Sequence, residues 1–330
     1  MLRAMHYSAA IIVLFLASCS ATNPVNLWQS PGTYYSIGIE ATSQGIISTT
    51  LTNPEPTEIT LTPLLETQTT QFLLEPSPPI VERQLAEDWQ NWPVVPQVSP
   101  WLRTVYAQGL SDGNNPHSFS KIGDCQNVIS LFLPFDLQPY YRLGDKYSYL
   151  MPVIEQFSGS WMRESLAVRG GYNVATVLSP FAYDKGELCG TDESPLECEF
   201  RLNEPSIAII SMETWTSKRP PEIYEGYLSQ IVEFVLAHNA IPVLATKADN
   251  FEGDQSINAA VARVAYKYNI PLWNFWAAVQ SLPSKGLTED SFHLTVGKNF
   301  FDDPVEMEKA WPVRNLTALQ TINAVWKAVK

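Results

Sequence analysis

The sequence predicts an α/β domain built on a parallel sheet that is covered on both faces. Three observations point there. From about Pro96 onward, short apolar runs alternate with stretches at helical spacing. The run Ser206-Ile207-Ala208-Ile209-Ile210-Ser211 is apolar and β-branched, the pattern of a strand buried on both faces. Hydrophobic residues make up 45% and aromatic residues 12% of 330 positions, against 17% charged, which suits a substantial core.

Taken in order, Ser118–Ile122 reads as a first strand ending at Gly123-Asp124-Cys125. Ser165–Val168 is a second short apolar run, ending at Arg169-Gly170-Gly171. After the strand Ser206–Ser211, Tyr224–His238 carries Tyr227, Ile231, Phe234 and Val235 at helical spacing. Ile241–Thr246 reads as a strand, Ile257–Tyr268 as a helix, Ile270–Trp273 as a strand and Leu316–Val329 as a closing amphipathic helix. Strands alternating with helices mean βαβ units, and ligands then bind beyond the carboxyl ends of the strands.

The front of the chain differs from the rest. Arg3 precedes an apolar run, Ala9 to Ala17, that is too short to span a bilayer and reads as a signal segment. It ends in Leu16-Ala17-Ser18-Cys19, which resembles the lipobox of bacterial lipoproteins. That resemblance implies cleavage after Ser18, acylation of Cys19, and an extracytoplasmic chain lipid-anchored to the bacterial cell membrane or envelope. The alternative is an ordinary cleaved signal with a chance cysteine. Residues 19–95 are rich in Thr, Ser, Pro and Gln, with no Lys or Arg between Arg3 and Arg83. They read as a Thr/Pro-rich tether or, since Glu58–Leu65 alternates like a strand, as a small β-subdomain. The folded domain is expected over residues 96–330.

Lys plus Arg is 21 and Asp plus Glu 34, so the net charge of −13 repels phosphate backbones and no nucleic-acid partner is expected. No Gly-rich phosphate loop follows a strand, and no cysteine pair has zinc-ligand spacing, so neither a cofactor nor a metal is expected. Among the histidines beyond the signal, His117 lies in a turn and reads as a solvated loop residue. His238 sits near a helix end, where a cation complements the dipole. His293 belongs to Asp290-Ser291-Phe292-His293, in which Asp290 can accept a hydrogen bond from Nδ1–H and leave Nε2 as a base. Cys189 and Cys198 flank an acidic loop and, outside the cytoplasm, are expected to form a disulfide. With Cys19 lipidated, Cys125 remains, placed where a helix N-terminus would favour a thiolate.

Gly123-Asp124-Cys125 resembles the Gly-Asp-Ser motif of the SGNH/GDSL hydrolases, and Asp290-Ser-Phe-His293 resembles that family's Asp-x-x-His element. Gly170 or Gly171 falls at the family's second-block glycine, a backbone oxyanion donor. The resemblance covers roughly residues 115–300 and implies a flavodoxin-like three-layer sandwich, with Cys125 as nucleophile, His293 as base and Asp290 as its orienter. Glu213 stands at the third-block glycine and Trp215 at the asparagine that holds the oxyanion, so an indole N–H would have to donate instead. A Cys–His site of this kind suits an ester hydrolase or acyltransferase acting on a small acyl ester, a thioester or an acylated glycan. The alternative is a catalytically degenerate lipoprotein whose old cleft binds a glycan or acylated ligand. The 10 tryptophans are compatible with sugar stacking, although Trp273, Trp276 and Trp326 are expected in packing.

Overall fold

The computed structural model describes residues 84–330 apart from 138, 214 and 216–218. The signal segment, Cys19 and the tether up to residue 83 lie outside the described residues. The strands are β1 (Asn115–Gly123), β2 (Tyr141–Arg142), β3 (Pro205–Ser211), β4 (Ile241–Ala245), β5 (Leu272–Trp273) and β6 (Asn299–Phe300). The helices are α1 (Leu102–Asp112), α2 (Gly144–Tyr147), α3 (Met151–Gln156), α4 (Pro195–Asn203), α5 (Pro221–Ala237), α6 (Ser256–Tyr268), α7 (Phe275–Val279) and α8 (Ala310–Val329).

The main sheet has the order β1-β3-β4-β5 and is parallel throughout. Its register pairs Ile122 with Ile210, Ile210 with Leu244, and Leu244 with Leu272. Every residue of β3 and β4 is buried, as expected of strands covered on both faces. Helices α5 and α6 pack together over β4 on one face, and α4 joins them through Phe200, whose ring centroid lies 5.2 Å from that of Phe234. On the other face, α8 packs with α1, α3, α7 and β5. This is the expected α/β sandwich. The short pair β2–β6 forms a separate parallel ribbon.

Local signals account for the helix starts. Ser194 and Glu197 form a reciprocal capping box at α4, with Pro195 in its first turn. Pro221 opens α5. At the far end of α5, His238 caps the helix and its Nδ1 lies 2.8 Å from the Phe234 carbonyl, in keeping with a structural role. His117 lies within β1 rather than in a turn, exposed, with Nδ1 2.9 Å from the Gln156 carbonyl.

Three expectations need correction. Ser165–Val168 is not a strand; only an isolated bridge joins Val168 to Gly123. The chain turns instead, with Val168 N–H donating to the Ser165 carbonyl at 3.2 Å. Side chains take over the outer edge of β1. Arg163 donates to the Phe119 carbonyl at 2.7 Å, Ser165 to the Lys121 carbonyl at 2.6 Å, and Ser160 Oγ accepts from Phe119 N–H at 3.3 Å. The last helix is not amphipathic. It begins at Ala310, and polar Arg314, Asn315, Thr317, Thr321 and Asn323 are buried along with its apolar residues. They are tolerated because several are bonded: Asn315 Oδ1 accepts from Leu133 N–H at 2.8 Å, and Thr317 Oγ1 accepts from Trp273 Nε1 at 3.0 Å. The folded unit also starts before Pro96. The 3₁₀ turn Ala86–Asn91 buries Trp89 against Trp276, with ring centroids 5.0 Å apart.

Cys189 and Cys198 are disulfide-bonded, as expected, with Cα atoms 5.3 Å apart across a separation of 9 residues. Closing a ring of this size stabilises the fold by about 2–3 kcal/mol in the chain-entropy model. A thiol reductant is therefore expected to lower the Tm in calorimetry, and non-reducing peptide mapping should recover Cys189 linked to Cys198. A Tm indifferent to reductant would show that the bridge holds nothing the fold needs.

Candidate active site

Because the sheet is parallel, β1, β3, β4 and β5 all end on one edge, and the residues that follow them meet there. The turn after β1 is built first. A Cβ on Gly123 would lie 2.1 Å from Asn127 Nδ2, because the Asn127 side chain folds back over Gly123 to donate to the Ser211 carbonyl at 2.8 Å. Only glycine leaves that room. Asp124 is fully buried; its Oδ1 accepts from Gln126 N–H at 3.1 Å and its Oδ2 from Glu213 N–H at 2.7 Å. Cys125, partly exposed and outside the disulfide, then opens the 3₁₀ turn Cys125–Asn127. The expected helix is not there, so a full helix dipole is not what would favour its thiolate.

The second turn carries Asp290 and His293. Leu287 and Leu294 bridge antiparallel, Thr288 N–H donates to the His293 carbonyl at 2.8 Å, and Ser291 takes a left-handed φ of 59° at the tip. Asp290 is the hub of this turn. Its Oδ1 accepts from Thr288 Oγ1 at 2.6 Å, His293 N–H at 2.9 Å and Phe292 N–H at 3.0 Å. Its Oδ2 lies 2.5 Å from His293 Nδ1. The hydrogen bond from His293, followed by those from Thr288 and the backbone, holds the Asp290 carboxyl well below the usual carboxylate range. An ionised carboxylate only accepts, so Nδ1 carries the proton and Nε2 is the basic nitrogen.

Gln126 joins the two turns, its Nε2 donating to the Phe292 carbonyl at 3.3 Å. The residue after Cys125 thus bonds the residue before His293. On the other flank, a Cβ on Gly170 would stand 3.8 Å from Cys125 Cβ, so Gly170 adjoins the thiol-bearing residue. Gly171 does other work: at φ +87° it passes under Tyr183, whose hydroxyl would lie 2.5 Å from an added Cβ and donates to the Gly170 carbonyl at 2.6 Å.

Glu213 and Trp215 follow β3. The Glu213 carboxylate runs into the core, where Oε1 pairs with Arg314 at 2.8 Å and accepts from Ser211 Oγ at 3.1 Å. It is therefore directed away from Cys125 and into the core. Arg314 is fully buried, its guanidinium carbon 4.9–5.2 Å from the ring centroids of Phe275, Phe132 and Trp273. Trp215 is buried against Tyr224, and its Nε1 is shielded from solvent with no hydrogen-bond partner among the described residues. That donor is not presented to an open cleft. Arg314, Gln126, Asn127 and Tyr183 escaped the sequence reading. An arginine directly after the apolar stretch Trp311-Pro312-Val313 was the one available signal for Arg314; nothing marked the others.

One cluster among the described residues, Cys189, Glu193 and Cys198, is tight enough for a metal. Its sulfurs are joined in the disulfide, and Glu193 is bonded by Arg201 at 2.6 and 2.8 Å, so it offers no ready ligand set.

No family model and no curated protein matches the chain. Among solved structures it is similar to a GDSL-like lipase from Bacteroides thetaiotaomicron, at 13% identity and a TM-score of 0.37, over 68% of this chain and 98% of that one. It is also similar to TesA, at 16% identity and a TM-score of 0.35, over 61% of this chain and 99% of that one.

Two outcomes follow from this geometry. Gly123→Ala forces Asn127 off the β3 end and should destabilise the fold by about 1–3 kcal/mol, read from denaturant unfolding. Burial pushes Glu213 up to about 7, with Arg314 opposing and Asp124 and Asp249 adding. A carboxyl raised on folding holds its proton more tightly in the native chain. Its stabilising contribution is therefore complete below 4.5, its ordinary value, and is lost as the pH rises through about 7. Glu213→Gln should remove that slope, so a Tm difference between wild type and variant that stays constant across this range would contradict it.

Proposed function

We propose that the chain is an SGNH/GDSL-type acyl hydrolase or acyltransferase with Cys125 as nucleophile, His293 as base and Asp290 as its orienter. The observation that carries this reading is the oriented imidazole: an ionised carboxylate on Nδ1, a basic Nε2, and a turn tied by Gln126 to the one bearing Cys125. His293 Nε2 takes the Cys125 proton, and the thiolate adds to the acyl carbon of an ester or thioester. The tetrahedral intermediate collapses as the leaving alcohol or thiol takes that proton from His293. The thioester left on Cys125 is then attacked by water or an acceptor hydroxyl, whose proton passes to His293 and on to the departing Cys125 sulfur. Backbone amides at Cys125 and at Gly170 or Gly171 are the oxyanion donors in this scheme, with Trp215 shielded.

A second reading, a cleft that binds a glycan or acylated ligand without turnover, is favoured by that same shielded indole. Loss of one oxyanion donor costs about 10²–10³ in turnover. Both readings include the lipid anchor at Cys19 and an extracytoplasmic chain held at a bacterial membrane or envelope. Detergent-phase partitioning should be lost in Cys19→Ala.

The deciding experiment is hydrolysis of p-nitrophenyl acetate and an acetyl thioester beside Cys125→Ala and His293→Ala. Turnover abolished by Cys125→Ala and reduced by about 10²-fold or more in His293→Ala is expected of the first reading. Wild-type rates equal to those of Cys125→Ala on both substrates would sink it in favour of binding.

A further inference from the structure

The loop between β4 and α6 is held by buried charge. Lys247 Nζ pairs with Asp249 Oδ1 at 2.6 Å and with Glu252 Oε2 at 2.5 Å, and all three side chains are at most 6% exposed. Asn258 of α6 closes the arrangement, accepting from Lys247 N–H at 2.8 Å and donating to its carbonyl at 3.0 Å. Asp249 Oδ1 also accepts from Phe251 N–H at 3.0 Å. Burying an ammonium and two carboxylates is unfavourable unless they are paired this closely. What the network holds out at its crest is an apolar side chain: Phe251 is 61% exposed.

Phe251 faces the candidate site. Its ring centroid lies 6.0 Å from that of Phe292 at an interplanar angle of 69°. The Phe292 ring in turn meets the His293 ring at 5.0 Å and 84°. Rings set edge to face form an angled crevice rather than a flat platform, and phenylalanine has no hydroxyl or N–H for sugar hydroxyls. The surface therefore suits an apolar group better than a glycan. The direction of proton transfer says which apolar group. The leaving oxygen or sulfur must reach His293 to collect its proton, so the substituent it carries extends past His293, toward these rings.

We propose that Phe251 and Phe292 form the leaving-group seat, and that the substrate is an ester or thioester of an apolar, ring-bearing or alkyl alcohol or thiol. The inference rests on the acyl-transfer reading for its direction. Phe251 is the specificity-determining residue, and the Lys247–Asp249–Glu252 network positions it.

The test compares 1-naphthyl acetate with phenyl acetate, and phenyl hexanoate with phenyl acetate, in wild type, Phe251→Ala and Phe251→Trp. Phe251→Ala should cut the naphthyl-to-phenyl ratio of kcat/KM by about tenfold, leave the hexanoate-to-acetate ratio in place, and be rescued by Phe251→Trp. A change confined to the acyl-length ratio, or in neither ratio, overturns the seat. A second arm needs no turnover: the alkylation rates of Cys125 by N-(1-naphthyl)iodoacetamide and by iodoacetamide. A naphthyl preference in wild type that Phe251→Ala abolishes supports an apolar seat beside Cys125 even where no ester is hydrolysed, in which case only the catalytic reading has failed. Equal ratios in the two proteins, or a Cys125 that neither reagent reaches, overturn it.

Discussion

The site hangs on one buried carboxylate. Asp124 has no exposed surface and accepts two backbone N–H groups, one from the turn it begins and one from the residue just past β3. Each oxygen thereby fixes a different piece of chain, so the end of β1 and the end of β3 move as one body. Cys125 is positioned as a consequence, because it lies between the carboxylate that anchors the turn and the Gln126 amide that closes it. An amide in place of Asp124 could accept one of these bonds but would turn a donor toward the other.

From that point the restraint passes inward. Glu213, whose backbone bonds Asp124, sends its own carboxylate to Arg314, and Arg314 also donates to Ser211 at 2.8 Å. A guanidinium enclosed by aromatic rings in the second turn of α8 thus connects the closing helix to the edge of the sheet where the strands end. Removing either partner of such a pair leaves an uncompensated buried charge, which costs far more than the pair itself contributes. The inward course of the Glu213 carboxylate, bonded to Arg314 and Ser211, keeps it away from the edge where Cys125 lies.

What the sequence revealed, and what it hid, follows from which interactions are local. The strands β3 and β4 were legible because burial on both faces leaves an unbroken apolar run, as in Ser206–Ser211. The Asp290–His293 pair was legible because a three-residue spacing brings the two side chains together within one turn. Arg314 was not, since its partners come from β3 and from distant aromatic residues. The strand expected at Ser165–Val168 failed for a related reason: Ala167 and Val168 are buried as a strand's residues would be, but Arg163, Ser160 and Ser165 satisfy the neighbouring backbone through side chains. Periodicity registers burial and is blind to which groups satisfy the backbone. Phe251 belongs with these, since no pattern distinguishes an exposed ring held in place from one that is merely exposed.

The way β1 is finished on its outer side bears on how this chain behaves among its copies. A sheet edge with free amides and carbonyls is a template on which another polypeptide can add a strand. Here the Phe119 and Lys121 carbonyls and the Phe119 and Gly123 amides are already engaged from within, so a second chain finds little to pair with. Edge-to-edge stacking into filaments is thereby discouraged along this side, and Pro116 near the start of β1 adds to the protection.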